Sequence, residues 1–506
     1  MMHLDHPRYA LVLTLAAAAI STAESPGQTA GAYVEVPQLP DTPAGRRARE
    51  IIDTVNAGDQ DAQRAYARRA LSADLATGQQ LEDILYQWRM IGELNGELEF
   101  HSCRRYESGP LRTTDADGGV VAIVRTSVGS WRAWTVEVEP EPPHRIERLM
   151  FSPARPPVSD AAPALSAAAF VAEVGRTVDE RVAAGRFSGV VHVVHDGTTI
   201  ALRAGGVADE DNDRPITAET RFNSASCTKM FTAATVARLV ERGELALDDP
   251  IGAHLPAGTV VPAAEEVTIR ELLTHTSGFG DHHVAAFYEA DRASLDTIEA
   301  VLALGKPWAQ EAPRGRFHYS NLGYNLLARI VETTTGESFD RVVTREVFGP
   351  AGMTARFDRY ANRDAGQAIG YMEHATDRGL ELVDCRRFWA GRGTGSGGAL
   401  CSTADFVAFG EALASGQLLT PETTRLLLPS AREPGAGLMA LAGPEALGRC
   451  YGHTGSNEGA SAVVAFYPEA RLTIVVLSNR PGVAADLHGA VEALAARVEG
   501  FRATRK

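Results

Sequence analysis

The chain is short of two residue types. Five cysteines in 506 residues cannot form a disulfide framework, and their odd number leaves at least one thiol unpaired within a monomer. Lysine and arginine together number 49, yet lysine occurs only at Lys229, Lys306 and Lys506. None of the three precedes Ser or Thr, which removes the phosphate loop G-x-x-x-x-G-K-[ST]. Positive charge is also in deficit: 64 acidic residues leave a net charge of −15. Such a surface repels nucleic-acid phosphates and anionic lipid, so neither is an expected partner. No segment reaches the ~20 apolar residues of a membrane-spanning helix. There is no G-x-S-x-G, hence no α/β-hydrolase elbow. Asp281-His282-His283 lacks any accompanying H-E-x-x-H or H-x-H-x-D-H and reads as a polar loop, so no metal is expected. Gly393 to Gly398 satisfies G-x-G-x-x-G but follows CRRFWAGR, not an apolar strand. No dinucleotide or other organic cofactor is expected either.

What remains is ordinary globular composition, 44% hydrophobic and 22% charged, in a chain long enough for two or three domains. Residues 1–23 read as an export signal. Arg8 precedes the apolar run Tyr9 to Ile20, too short to span a bilayer, and Ser21-Thr22-Ala23 precedes a cleavage point. The expected location is therefore secreted or periplasmic. Residues 24–43, rich in Pro, Gly and Thr, read as a linker. A block over 44–152 follows. Helical spacing over Arg46 to Asn56, Asp61 to Leu71 and Gln80 to Met90 precedes strands at Glu97 to Tyr106, Val120 to Thr126, Trp131 to Val138 and Ile146 to Phe151. Helices followed by a strand meander indicate a small α+β domain, and the order resembles the cone-shaped, nuclear-transport-factor-like fold. An accessory or binding role is its default, since no motif in it carries chemistry.

Residues 153–164 are a Pro-rich linker, and the large domain runs over 165–506. A helix at Ala167 to Ala183 leads into Ser188–His195 and Thr198–Ala204, joined by Asp196-Gly197, a type I′ hairpin signal. Ala460–Tyr467 and Leu472–Ser478 form a second hairpin, followed by a helix from Ala484 to Val498. Hairpins at both ends predict one antiparallel sheet whose edges come from opposite ends of the domain, with a helical region inserted in the middle.

Three motifs suit acyl transfer. Ser226-Cys227-Thr228-Lys229 opens a helical stretch ending at Gly243, and residues three apart share a helix face. Burial there lowers a lysine's pKa, and the neutral amine can take the serine proton, which arginine cannot do. Cys227, adjacent on the helix, points elsewhere and reads as a wall residue. Tyr319-Ser320-Asn321 precedes another helix. A tyrosine hydroxyl near a lysine can be held as phenolate and act as base, and an asparagine offers donor and acceptor to an amide. His453-Thr454-Gly455-Ser456 precedes an apolar strand, where glycine allows close approach and edge N–H groups can meet an oxyanion.

In this order and context, S-x-x-K, Y-x-N and H-T-G resemble the serine β-lactamase and penicillin-binding-protein superfamily, in its class C-like branch, over residues ~165–500. Leu272-Leu273-Thr274-His275-Thr276-Ser277-Gly278, Gly397 to Phe406 and Leu477-Ser478-Asn479-Arg480 agree. The resemblance implies a β-lactamase/transpeptidase-like antiparallel sheet flanked by helices. It makes Ser226 the acylated nucleophile, Lys229 its proton acceptor and Tyr319 the relay that activates the deacylating water. The N–H groups of Ser226 and Ser456 would form the oxyanion hole, and Asn321 would hold the acyl side chain. His453 departs from the lysine that β-lactamases and transpeptidases carry to recognise a carboxylate; histidine is only partly charged at neutral pH. Esterase and D-amino-acid peptidase relatives often carry H-x-G. The expectation is therefore a serine hydrolase acting on small esters, amides or peptides. A D,D-carboxypeptidase, a β-lactamase or a slowly turning-over sensor are the alternatives. Oligomeric state is left open.

Overall fold

The computed structural model describes residues 33–503, apart from 74, 107–118, 128–130, 155–162, 257–260, 262, 282–285, 288–289, 305–310, 360–361, 363–365, 377–378, 431–433 and 442. Residues 1–23 and most of 153–164 lie outside the described residues. The chain divides between Pro163 and Ala164 into two compact units.

In the N-terminal unit, α1 (Pro43–Ala57) starts where the Thr42 hydroxyl accepts from the Gly45 N–H at 3.2 Å. It stops at Gly58, whose φ of 67° suits the left-handed cap. Its apolar residues Ala44, Ala48, Ile51, Ile52 and Val55 recur at helical spacing and are buried. Helices α2 (Gln60–Ala70) and α3 (Gly78–Asn95) follow. The strands are β1 (Tyr33–Val36), β2 (Leu98–Tyr106), β3 (Gly119–Thr126), β4 (Trp131–Val138) and β5 (Ile146–Pro153), antiparallel in that order. Helix α1 packs on β3 and β4, so Val120, Ala122, Val124, Trp134 and Val136 form one core with it. β1 corrects the reading of 24–43 as linker throughout: Tyr33 to Val36 pairs with Tyr106 to Cys103. Four residues after a Gly-rich stretch carry too short a period-two pattern to stand out before the partner strand is known.

In the C-terminal unit, α4 (Ala167–Ala183) leads to β6 (Gly189–His195) and β7 (Thr198–Gly205). Asp196 and Gly197 have φ of 51° and 69°, as a type I′ turn requires. Helices α5 (Thr228–Glu241), α6 (Asn321–Thr335) and α7 (Thr403–Ala414) belong to the inserted region. The chain closes with β8 (Met439–Leu441), β9 (Cys450–Asn457), β10 (Ala460–Tyr467), β11 (Leu472–Ser478) and α8 (Val483–Ala495). The sheet order is β8-β9-β10-β11-β6-β7, all antiparallel. Its two edges do come from opposite ends of the domain. Strands β6, β10 and β11 are buried on both faces, which explains their continuous apolar runs. Phe170, Val174, Leu487 and Val491 of α4 and α8 cover one face. The other face meets the core built on α5, α6 and α7. No helix among the described residues is long and apolar enough to cross a membrane.

Candidate active site

Ser226 sits on a single 3-10 turn, Ala225–Cys227, immediately ahead of α5, not within the helix proper. Ala225 has a φ of 45°, a left-handed conformation that a side chain disfavours. Three contacts hold it there. The Asn223 side-chain oxygen accepts from its N–H at 2.9 Å, while the Thr228 hydroxyl at 2.9 Å and the Gly398 N–H at 3.1 Å donate to its carbonyl. Phe222-Asn223, just upstream, pairs with Leu400-Cys401. Backbone strain persists where surroundings over-determine it, and here it lifts Ser226 out of an otherwise buried stretch.

Lys229, fully buried, donates to the Asn321 Oδ1 at 2.6 Å and the Ser396 carbonyl at 2.5 Å, and its nitrogen lies 3.3 Å from the Ser226 hydroxyl oxygen. Burial pushes its pKa down to about 7, partly opposed by the charge of Asp281. At neutral pH a substantial fraction is the free amine. The glycine-rich loop set aside as a dinucleotide site thus serves Lys229 instead. Its Ser396 N–H donates to the Asn325 side chain at 3.0 Å, and its Gly395 carbonyl accepts from Thr232 at 2.7 Å.

Tyr319 is hydrogen-bonded to Ser226, and burial drives its hydroxyl well above the usual phenol range. The Lys229 nitrogen lies 4.9 Å from the centre of the Tyr319 ring, over its face. The phenolate reading is therefore corrected: burial outweighs the Ser226 hydrogen bond, which favours the anion, and Tyr319 rests as a neutral hydroxyl. Ser320 caps α6, accepting from the Gly323 N–H at 2.9 Å and donating to the Gly280 carbonyl at 2.7 Å. This places Tyr319 and Asn321 on either side of a fixed point. Asn321 is spent on its neighbours, with Oδ1 on Lys229 and Nδ2 donating to Asp281 at 2.6 Å. His275 stacks on the Tyr319 ring at 4.4 Å and accepts from the Ser320 N–H at 3.1 Å. Burial and the Lys229 charge hold it neutral. His282 and His283 lie outside the described residues.

His453 stands on β9 and is 2% exposed. Burial first, and then the Lys229 charge, push its pKa down to about 3. The expected partial charge at neutral pH is thereby corrected: the ring is neutral. Its Nδ1 donates to the Thr454 carbonyl at 2.5 Å, leaving Nε2 a buried acceptor without a partner among the described residues. β8 pairs with Cys450 to Gly452, so among the described residues the β9 edge from His453 onward has no strand partner there. The Ser226 turn packs against that edge. A Cβ on Gly455 would come within 2.5 Å of the Ser224 carbonyl and 3.1 Å of the Ser226 nitrogen, so only glycine fits. Thr454 and Ser456, flanking it, are partly exposed.

The supporting motifs brace this site. Ser402 and Asp405 form a capping box on α7, and Asp405 also accepts from the Thr354 N–H at 2.6 Å. Asn479 donates to the Val207 carbonyl at 2.9 Å and the Ile369 carbonyl at 2.8 Å, tying the end of β11 to two distant segments. All five cysteines are buried. The Cys227 thiol points to the His453 carbonyl at 3.4 Å, and burial raises its pKa. It is no second nucleophile. Asp281 and the Ser396 carbonyl are the two groups that sequence reasoning missed. No motif spacing links them to Ser226, and only the fold brings them in.

A serine lifted from a strained turn, a buried lysine beside it and an open strand edge alongside define a serine hydrolase. The family model described as Beta-lactamase matches residues 174–497, and the chain belongs to that family. A penicillin-binding protein of Bacillus subtilis (strain 168) is 28% identical over 315 residues, covering 58% of this chain and 68% of that protein. Esterase EstB of Burkholderia gladioli is 34% identical over 203 residues, 37% of this chain and 52% of the esterase. Among solved structures, a penicillin binding protein from Bacillus halodurans is similar with a TM-score of 0.56 and 28% identity, covering 63% of this chain and 99% of that one.

Proposed function

We propose that the chain hydrolyses small esters or small amides, D-amino-acid peptides included, through an acyl-enzyme on Ser226. Lys229 takes the Ser226 proton as the hydroxyl attacks the substrate carbonyl, and the tetrahedral oxyanion lies between the N–H groups of Ser226 and Ser456. Tyr319 relays the proton to the departing alkoxide or amine. Water then attacks the ester on Ser226, giving its proton back along the same route, and the acid leaves. The observation that carries the substrate class is His453. A buried, neutral ring offers no cation to a substrate carboxylate. Esterase EstB, among the relatives, fits this preference. Side-by-side turnover of p-nitrophenyl esters, D-Ala-D-Ala peptides and nitrocefin tests it. Efficient nitrocefin turnover with little esterase activity would sink the preference and leave a β-lactamase; fast release of D-Ala would leave a carboxypeptidase.

We further propose that the protein is exported and that the N-terminal unit is an accessory module. The apolar run Tyr9 to Ile20 with small residues after it supports export. The catalytic motifs all follow Ser226, and residues 164–506 carry their own sheet and cores. A chain starting at Ala164 should hydrolyse small activated esters at a rate comparable to the full chain. A truncated enzyme that is folded by circular dichroism yet inactive would show that the N-terminal unit contributes to the site.

A further inference from the structure

The base at Ser226 works only if the lysine's lone pair, and not one of its N–H bonds, faces the serine. A neutral amine has two N–H bonds and one lone pair, arranged tetrahedrally. Around Lys229 the Asn321 Oδ1 at 2.6 Å and the Ser396 carbonyl at 2.5 Å are acceptors, and together they occupy both N–H bonds. The lone pair is then left for the Ser226 hydroxyl at 3.3 Å. The Ser396 carbonyl is backbone and cannot reverse. The Asn321 carboxamide can, because its oxygen and nitrogen ends have nearly the same shape. Reversed, it would present an N–H donor to the amine, capture the lone pair and turn an N–H bond toward Ser226.

We propose that Asp281 is a positioning residue for acylation: its carboxylate clamps the Asn321 carboxamide with the oxygen turned toward Lys229. An ionised carboxylate only accepts, so it takes the Asn321 Nδ2 at 2.6 Å and excludes the reversed amide. A charge-assisted bond is about twice as strong as a neutral one, which makes the preference decisive. Asp281 reaches the site from the loop after the Ser277-Gly278 turn, 40 residues before Asn321. Among the described residues, the groups facing Lys229 are Cys227 from the turn before its helix, Tyr319 just ahead of α6 and Tyr324 on it, His275 and Asp281 from the preceding loops, and His453 from β9. Burial keeps the thiol, both phenols and both imidazoles neutral. Asp281 is the anion among them, so its charge also holds the lysine's pKa up.

The inference rests on Lys229 being the proton acceptor, and the test separates the two. The rate at which a fluorophosphonate probe labels Ser226 is followed between about pH 5 and 9 in the full chain. Wild type should show an acid limb with its midpoint near 7, and Ser226→Ala should not label. Failure of either overturns the acyl-enzyme reading itself. Asp281→Asn keeps the shape and removes the charge, so its midpoint should fall by about one pH unit. Asp281→Ala removes the clamp as well, and its plateau rate should fall roughly ten- to hundredfold. The midpoint reports the carboxylate's charge, and the plateau of the folded Asp281→Ala chain reports the clamp. If wild type shows the limb and folded Asp281→Ala keeps the wild-type plateau, the inference is overturned. Should Asp281→Ala fail to fold by circular dichroism, Asp281→Asn decides alone: its carboxamide can also donate and no longer excludes the reversed Asn321 amide, so an unchanged plateau overturns the inference.

Discussion

Helices α1 and α5 differ by one residue in length, 15 against 14, and are built on opposite plans. Helix α1 buries six residues, all apolar or glycine, on one stripe and leaves the remainder toward water. Helix α5 buries eleven, among them Thr228, Lys229, Thr232 and Thr235. Each of these polar groups is answered by a partner, several from distant sequence: the Gly395 and Ser396 carbonyls for Thr232 and Lys229, and the Ala399 N–H for Thr228. A buried polar group costs free energy unless it is paired, so α5 is specified by the loops around it as much as by its own pattern. The contrast separates a helix that only stabilises from one that positions chemistry.

The sharpest way to break this contrast is at Ser226 and Lys229. Ser226→Ala should lower kcat/KM on p-nitrophenyl acetate by at least about a thousandfold, and Lys229→Arg should be nearly as damaging as Lys229→Ala. An active Lys229→Arg would mean that charge, not proton transfer, is the residue's contribution.

The next effect is on pH. Lys229 must be neutral to accept the proton, so kcat/KM should fall about tenfold per unit below a midpoint near 7. Stability carries the opposite mark of the same burial. The native pKa of about 7 lies below the ordinary 10.5, so the unfolded chain binds the extra proton across that interval. The lysine's cost is full below about 7 and vanishes as pH rises through 10.5. The melting temperature of Lys229→Met minus that of wild type should therefore decrease from about pH 7 to 10, whatever its offset; a flat difference across that interval would contradict the buried amine.

On the other helix the expected changes concern folding alone. Ile51→Ala, at a fully buried position of α1, should cost about 2–4 kcal/mol in the unfolding of the N-terminal unit while esterase kinetics stay as in wild type. The smallest effects compare two caps. Thr42→Ala and Ser320→Ala should each cost about 1 kcal/mol by denaturant titration. Only Ser320→Ala should also lower kcat, because Tyr319 and Asn321 flank that cap. Equal kinetics in both would show that the cap does not register the site.

Much of this was legible beforehand because it is local. The apolar spacing over 46–56, the Asp196-Gly197 turn and the buried runs of β10 and β11 depend on residues a few positions apart, and the structure follows them within a few residues. The motif triplet was legible in a different way: three short patterns in a set order, each too common to mean anything alone. The structure brings Ser226, Lys229, Tyr319 and Asn321 into one hydrogen-bonded group and sets Gly455 against it. The short strand β1 escaped notice because an edge strand of four residues declares itself only through its partner.

By itself, then, the sequence determined the longer helices and strands, the scarcity that makes Lys229 conspicuous, and the chemical types available for acyl transfer. Protonation states belonged to the tertiary structure. His453 is neutral and Tyr319 keeps its proton because neighbours remote in the chain strip water from them. The orientation of the Asn321 amide and the second acceptor for Lys229 come from Asp281 and Ser396, 40 and 167 residues away from the groups they serve. Desolvation and hydrogen bonding act through space over a few ångströms, and no spacing along the chain records which distant residues will supply them.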